Sequence, residues 1–304
     1  MKKFAQTMLT IFALLSFIQA EEIPHTIKKN KRADKPPRFM VFPHDKEFSY
    51  KTIEGRSLDC FVYEPQGHKP SSAKAPVVVL FFGGAWRGGS VDQASAFCHY
   101  FAERGIVAIA ADYRVKNRGA SSPKDCVKDG KSAIRWVKAN HEMLGIDPER
   151  VIAGGFSAGG HVAATTGTGV TIEDQNDDLS ISARPVALLL YNPVYDNSEN
   201  GYGHAVVKDY WQAISPRHNI DSETPPTIVF LGDLDKHISP EIAQGYQKAM
   251  QDLGLRSDLH IYEGRKHGFM NLPGNGRDNP YFEKTAKLSL EFLQSLNLIP
   301  TTKE

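Results

Sequence analysis

The chain has 304 residues, 41% of them apolar and 23% charged, with a formal net charge of +1. This length holds one large domain with a substantial core, or two small ones, and the composition excludes a disordered or fibrous chain. So balanced a charge gives no global field toward nucleic acid or an anionic membrane, and neither is an expected partner.

In chain order, the first segment reads as a signal peptide. Lys2 and Lys3 supply a positive start, and Phe4 to Ile18 is apolar yet shorter than a membrane span. Ala20 precedes Glu21-Glu22, so residues 1–20 are expected to be removed and the protein to be secreted or periplasmic; the alternative is a retained anchor. Residues 21–43 are polar, basic and proline-bearing, with Lys28, Lys29, Lys31, Arg32, Lys35, Pro36 and Pro37, and read as a flexible leader. One folded domain is expected over 44–304. No later run is long enough for stable membrane insertion.

Strands and helices then alternate. Val77–Phe82 is a continuous apolar run, as a strand buried on both faces requires. Leu58–Tyr63, Ile106–Ala111, Val151–Gly154, Val186–Tyr191, Thr227–Leu231 and Leu259–Tyr262 also read as strands. Helices are expected near Gln93–Arg104, Pro123–Leu144, Ala158–Thr166, Pro240–Leu253 and Tyr281–Leu296, with Pro123 and Pro240 in first turns and Gly145 at an end. This alternation predicts an α/β fold with a mostly parallel central sheet covered by helices on both faces. The interval 191–226 lacks periodicity, but its aromatic residues point to an ordered flap rather than a tether. Cys60, Cys98 and Cys126 are too few for a disulfide scaffold and lack metal-ligand spacing; they read as buried small residues, with no pairing assignable.

Gly155-Phe156-Ser157-Ala158-Gly159 lies between a predicted strand and a predicted helix. A serine on so sharp a turn needs glycines two positions either side, and the turn projects Oγ above the helix N-terminus. A neutral serine needs a base. His267 lies just past the last predicted strand, at the sheet edge where Ser157 emerges; His237 is its main competitor. The base needs a carboxylate to hold its tautomer. Gly232-Asp233-Leu234-Asp235 leaves a strand at that same edge, with Asp235 the choice and Asp233 the runner-up. Phe82-Gly83-Gly84-Ala85-Trp86 can turn backbone N–H groups toward a developing oxyanion, and the amides of Gly84, Ala85 and Ala158 are the expected donors. Trp86, Tyr191 and Tyr202 are candidates for substrate contact.

These segments, with Ala111-Asp112-Tyr113-Arg114 and His267-Gly268-Phe269, resemble the α/β-hydrolase esterases of the hormone-sensitive-lipase-like group, most nearly the bacterial secreted acetyl xylan and feruloyl esterases. The likeness spans roughly residues 48–298. It implies two-step acyl transfer through Ser157, His267 and Asp235 with no metal or organic cofactor. It also implies a small-molecule or polysaccharide ester as substrate, with acetyl or hydroxycinnamoyl as the acyl group. A peptidase, a lipase or general short-chain carboxylesterase of the same fold, and a non-catalytic binding protein are the rivals. The group usually has histidine and a third glycine where Phe82 and Ala85 stand here, so packing must support this loop. Asp112-Tyr113-Arg114 is structural in the resemblance.

Overall fold

A computed structural model describes residues 37–71 and 74–300. Its apolar runs form one sheet of eight strands: β1 (Lys46–Ile53), β2 (Arg56–Tyr63), β3 (Ala75–Phe81), β4 (Val107–Ala111), β5 (Ile146–Phe156), β6 (Ala187–Tyr191), β7 (Thr227–Gly232) and β8 (Ser257–Tyr262). Their order across the sheet is β1-β2-β4-β3-β5-β6-β7-β8. β1 and β2 pair antiparallel, as do β2 and β4; every pair from β4 to β8 is parallel. This is the expected mostly parallel α/β-hydrolase sheet. β1 was not foreseen, because KEFSYKTI forms a half-exposed edge with no continuous apolar run.

Eight helices complete the described residues: α1 (Asp92–Ala102), α2 (Pro123–Ala139), α3 (His141–Leu144), α4 (Ala158–Gly167), α5 (His204–Val207), α6 (Trp211–Ile214), α7 (Pro240–Asp252) and α8 (Pro280–Ser295). The period of two along a strand divides the core. Val77, Val79 and Phe81 of β3 pack with α2, α4 and α7 on one face. Val78 and Leu80 pack with α1 and α8 on the other. Each such fully buried side chain contributes about 1.5–3 kcal/mol. The single helix expected over 123–144 is two, because the Asn140 side chain donates to Trp136 O at 2.8 Å and ends α2.

Residues 1–36, which include the signal-peptide reading and most of the proposed leader, lie outside the described residues. The last part of that leader belongs to the fold. Phe39 forms a β-bridge with Pro273, Met40 N–H donates to Leu272 O at 3.0 Å, and Phe42 N–H donates to Ser95 Oγ at 2.7 Å. The boundary at residue 44 is therefore corrected: backbone hydrogen bonds, invisible in composition, hold residues 38–42 as a strap. The segment 191–226 is ordered, with Val207 and Ile214 packed on Val127 and Val170. All three cysteines are buried and unpaired. Among the described residues no helix is long and apolar enough to cross a membrane.

Candidate active site

β5 ends at Phe156, α4 begins at Ala158, and Ser157 between them has φ 54° and ψ −116°. A side chain in this region stores about 1–3 kcal/mol of strain, which the surroundings must impose. Here they do. A Cβ on Gly159 would run into the carbonyl oxygens of Phe81 and Phe82, and one on Gly155 into the backbone of Gly159. Only glycine lets the first turn of α4 sit this close to β3. The result leaves Ser157 half-buried in a cleft of about 570 Å³.

The same cleft is lined by His267, Gly83, Gly84, Ala85, Asn192, Tyr202 and His237. His267 Nδ1–H donates to Asp235 Oδ2 at 2.6 Å. The Asp235 carboxylate is buried, and its other oxygen accepts the backbone N–H groups of His237 at 2.8 Å and Ile238 at 3.1 Å. These bonds keep it aimed at the imidazole. Asp233 forms no hydrogen bond to His267, and its Oδ1 is buried without a partner. The turn after Gly232 therefore delivers Asp235 rather than Asp233. His237 sits edge-on to His267, ring centroids 4.9 Å apart, and supports Asp235 through its main chain rather than its ring. His260 stacks on Phe230 and does not line the cleft.

With Nδ1 protonated, His267 Nε2 is the accepting nitrogen. Asn192 Nδ2 donates to it at 3.3 Å, while Asn192 Oδ1 accepts Gly268 N–H at 3.0 Å and so fixes which way the amide faces. No hydrogen bond joins Ser157 Oγ to Nε2, whose partner is Asn192.

The amides of Gly84, Ala85 and Ala158 donate no hydrogen bond among the described residues, and the first two belong to the cleft wall. The neighbouring Gly83 N–H is already taken by Gln93 Oε1 at 2.7 Å. Gly84 has φ 144°, and Ala85 and Trp86 both have φ 57°, so two side-chain-bearing residues occupy left-handed backbone. Packing enforces this. Phe82 is buried, its ring stacked 4.3 Å from Tyr113, and Tyr113 Oη donates to Phe82 O at 2.6 Å. Arg114 grips Asp129 at 2.8 and 2.9 Å, and Arg118 pairs with Asp112 at 2.9 Å. Burial raises the Asp112 carboxyl above its ordinary range, outweighing the pull of Arg118. Asp112-Tyr113-Arg114 therefore props the loop from behind.

Two of the three aromatic candidates do not contact the cleft. Tyr191, the last residue of β6, is buried between Phe156 and Phe230, with its hydroxyl 2.8 Å from Ser289 Oγ. The strand's alternation turns it into the core. Trp86 is only 4% exposed; its Nε1–H donates to His161 Nδ1 at 3.3 Å. His161 Nε2–H in turn donates to Ile214 O at 2.8 Å, and burial pushes its pKa down to about 4, so the ring is neutral. Only Tyr202 lines the cleft, braced by Trp86 and His237.

A chain of amides went unforeseen. Gln93 Nε2 donates to Asn271 Oδ1 at 3.0 Å, Asn271 Nδ2 to Gly268 O at 2.9 Å, and Gly268 N–H to Asn192. It ties Gly83 to the histidine loop. The available signal was position: Asn192 immediately follows a strand end, and Asn271 lies two residues past the His267-Gly268-Phe269 motif. Among the described residues no group of His, Cys, Asp and Glu is placed to hold a metal ion.

Comparison with known proteins agrees with this geometry. The BD-FAE family model matches residues 61–187, and the dienelactone hydrolase family model matches residues 194–296. The apo form of Thermogutta terrifontis esterase 2 superposes with a TM-score of 0.81 at 38% identity, covering 86% of this chain and 97% of that one. Isoprenylcysteine alpha-carbonyl methylesterase from Arabidopsis thaliana is 28% identical over 68% of this chain and 54% of its own length. Esterase LipC from Mycobacterium tuberculosis is 26% identical over 78% and 62%. The chain thus spans little more than half the length of that methylesterase. With an elbow serine, a carboxylate-bound histidine and loop amides without a partner in one cleft, the chain belongs to the α/β-hydrolase esterases.

Proposed function

We propose that Ser157 is the nucleophile, His267 the general base and Asp235 the carboxylate that orients it. The 2.6 Å Asp235–His267 bond at the cleft carrying Ser157 is the observation that supports this reading most directly. Ser157 Oγ attacks the ester carbonyl as Nε2 takes its proton, which requires the imidazole to exchange Asn192 for the hydroxyl. The amides of Gly84, Ala85 and Ala158 receive the oxyanion; one such donor lowers the barrier by roughly 3–4 kcal/mol. His267 then protonates the leaving alcohol and activates the water that releases the acid.

The acyl group is proposed to be short, with acetyl the favoured member. Supporting this, solved forms of the Thermogutta esterase hold propionate and butyrate. The alcohol is proposed to be hydroxyl-rich, as in a polysaccharide, because Gln93, Asn192, Tyr202, His237 and Asn271 give the cleft a polar lining. A hydroxycinnamoyl group has less support, since Tyr191 and Trp86 are buried elsewhere. Export is proposed on the lysine-led apolar segment at residues 1–20 alone, and N-terminal sequencing of the exported protein tests it.

Ser157→Ala is expected to reduce hydrolysis of p-nitrophenyl acetate to background with the fold intact. Asp235→Asn should cost roughly ten-thousandfold in kcat, and Asp233→Asn far less. Near-normal activity of Ser157→Ala would refute the nucleophile assignment. Ranking acetylated against feruloylated oligosaccharides by kcat/KM checks the acyl preference.

A further inference from the structure

The cleft is charged on one side of the ledger only. Arg38 lines it, and among the described residues Arg38 forms no ion pair; its guanidinium lies 5.0 Å from the centre of the Phe39 ring. No carboxylate belongs to the cleft wall. Asp235 stands behind His267 with both oxygens engaged. Lys236 and Lys266 are exposed and form no ion pair among the described residues, and each precedes a histidine of the cleft, His237 or His267. The positive end of α4 and the free amides of the loop add to the same field. The cleft wall thus carries one guanidinium and no carboxylate, in a chain with a formal net charge of only +1.

Arg38 is also held in place. Its backbone oxygen accepts Gly274 N–H at 3.4 Å, and the adjacent Phe39 is bridged to Pro273, which itself lines the cleft. The main chain carrying the guanidinium is therefore pinned to the far wall, and only the side chain must settle on a ligand. A fork of N–H donors carried on a tethered main chain at the cleft suits a carboxylate better than a hydroxyl.

We infer that Arg38 is a specificity-determining residue, and that the enzyme acts on esters whose alcohol part carries a carboxylate, as in an acetylated, uronate-bearing glycan. The charge falls on the alcohol side because the acyl group is read as short; the inference rests on the serine-esterase reading above.

The test uses the acetyl esters of 4-(hydroxymethyl)benzoate and of its carboxamide, whose benzylic leaving alcohols are nearly equally acidic and which differ in one negative charge away from the scissile bond. Wild-type kcat/KM should favour the anion, and rising salt should erode that preference. Arg38→Gln should lower the anion-to-neutral ratio about tenfold, as the loss of one charge-assisted hydrogen bond implies. Arg38→Lys should restore part of it. An unchanged ratio in Arg38→Gln, or a wild-type preference for the neutral ester, overturns the inference. Ser157→Ala run alongside separates the two failures. If it abolishes turnover of both esters while the ratio ignores Arg38, only the charge recognition is wrong. If it leaves turnover intact, the nucleophile assignment falls first.

Discussion

His161 shows how one buried ring couples stability to pH. It is one turn into α4 and joins Trp86 to Ile214 as a neutral imidazole, with its pKa pushed down to about 4 by burial. The unfolded chain takes up this proton below about pH 6.5, the folded chain only below about 4. The unfolded state therefore binds more protons between those values. Stability from this group is complete at neutral pH and is lost as pH falls through that window, by about 3–4 kcal/mol in all. Urea midpoints measured from pH 7 to 4.5 should fall in the wild type. They should fall less in His161→Gln, which starts lower but has no proton to gain. Equal slopes would show that the ring is protonated in the fold. Nothing in the sequence marked this histidine as a strut, since its partners are the carbonyl at the end of α6 and an indole far along the chain.

At the scale of elements, the loop from Gly83 to Gly89 carries the strain and its neighbours hold it. Ala85 and Trp86 stay in left-handed backbone because Phe82 is clamped by the Tyr113 ring and hydroxyl. Tyr113→Phe keeps the ring but orphans the Phe82 carbonyl. It is expected to cost about 1–3 kcal/mol of stability and to lower kcat more than it raises KM, measured by denaturation and steady-state kinetics. An unchanged kcat would mean that the ring alone supports the loop. The loop's position after an apolar strand was legible, as were the elbow of Ser157 and the approach of His267, because glycine punctuation and continuous apolar runs are local signals. The amides Gln93, Asn192 and Asn271 were not, because a hydrogen bond between distant loops leaves no periodicity. Tyr191 and Trp86 misled for a related reason: an aromatic near a motif faces cleft or core according to the pleat and the backbone turn, which composition does not record.

For the whole molecule, the mostly parallel sheet from β4 to β8 follows from alternation of strand and helix. What alternation missed lies at the margins: β1 on the sheet edge and the strap at residues 38–42, both held by backbone pairing rather than apolar content. The two helix-covered faces also bury Cys60, Cys98 and Cys126, and burial raises all three thiols well above their ordinary pKa. The native protein is expected to be inert to Ellman's reagent at neutral pH and to expose three reactive thiols in denaturant. Fast native labelling would contradict that burial.

The amide chain from Gln93 through Asn271 and Gly268 to Asn192 joins the loop after β3 and the histidine loop into one hydrogen-bonded frame. A scissile bond entering that frame meets two loops already joined, and what binding must still drive is the exchange by His267 of Asn192 for the Ser157 hydroxyl. Such an enzyme would acquire new substrates at its doorway, by trading side chains like Arg38 and Tyr202, while its chemistry stayed unaltered.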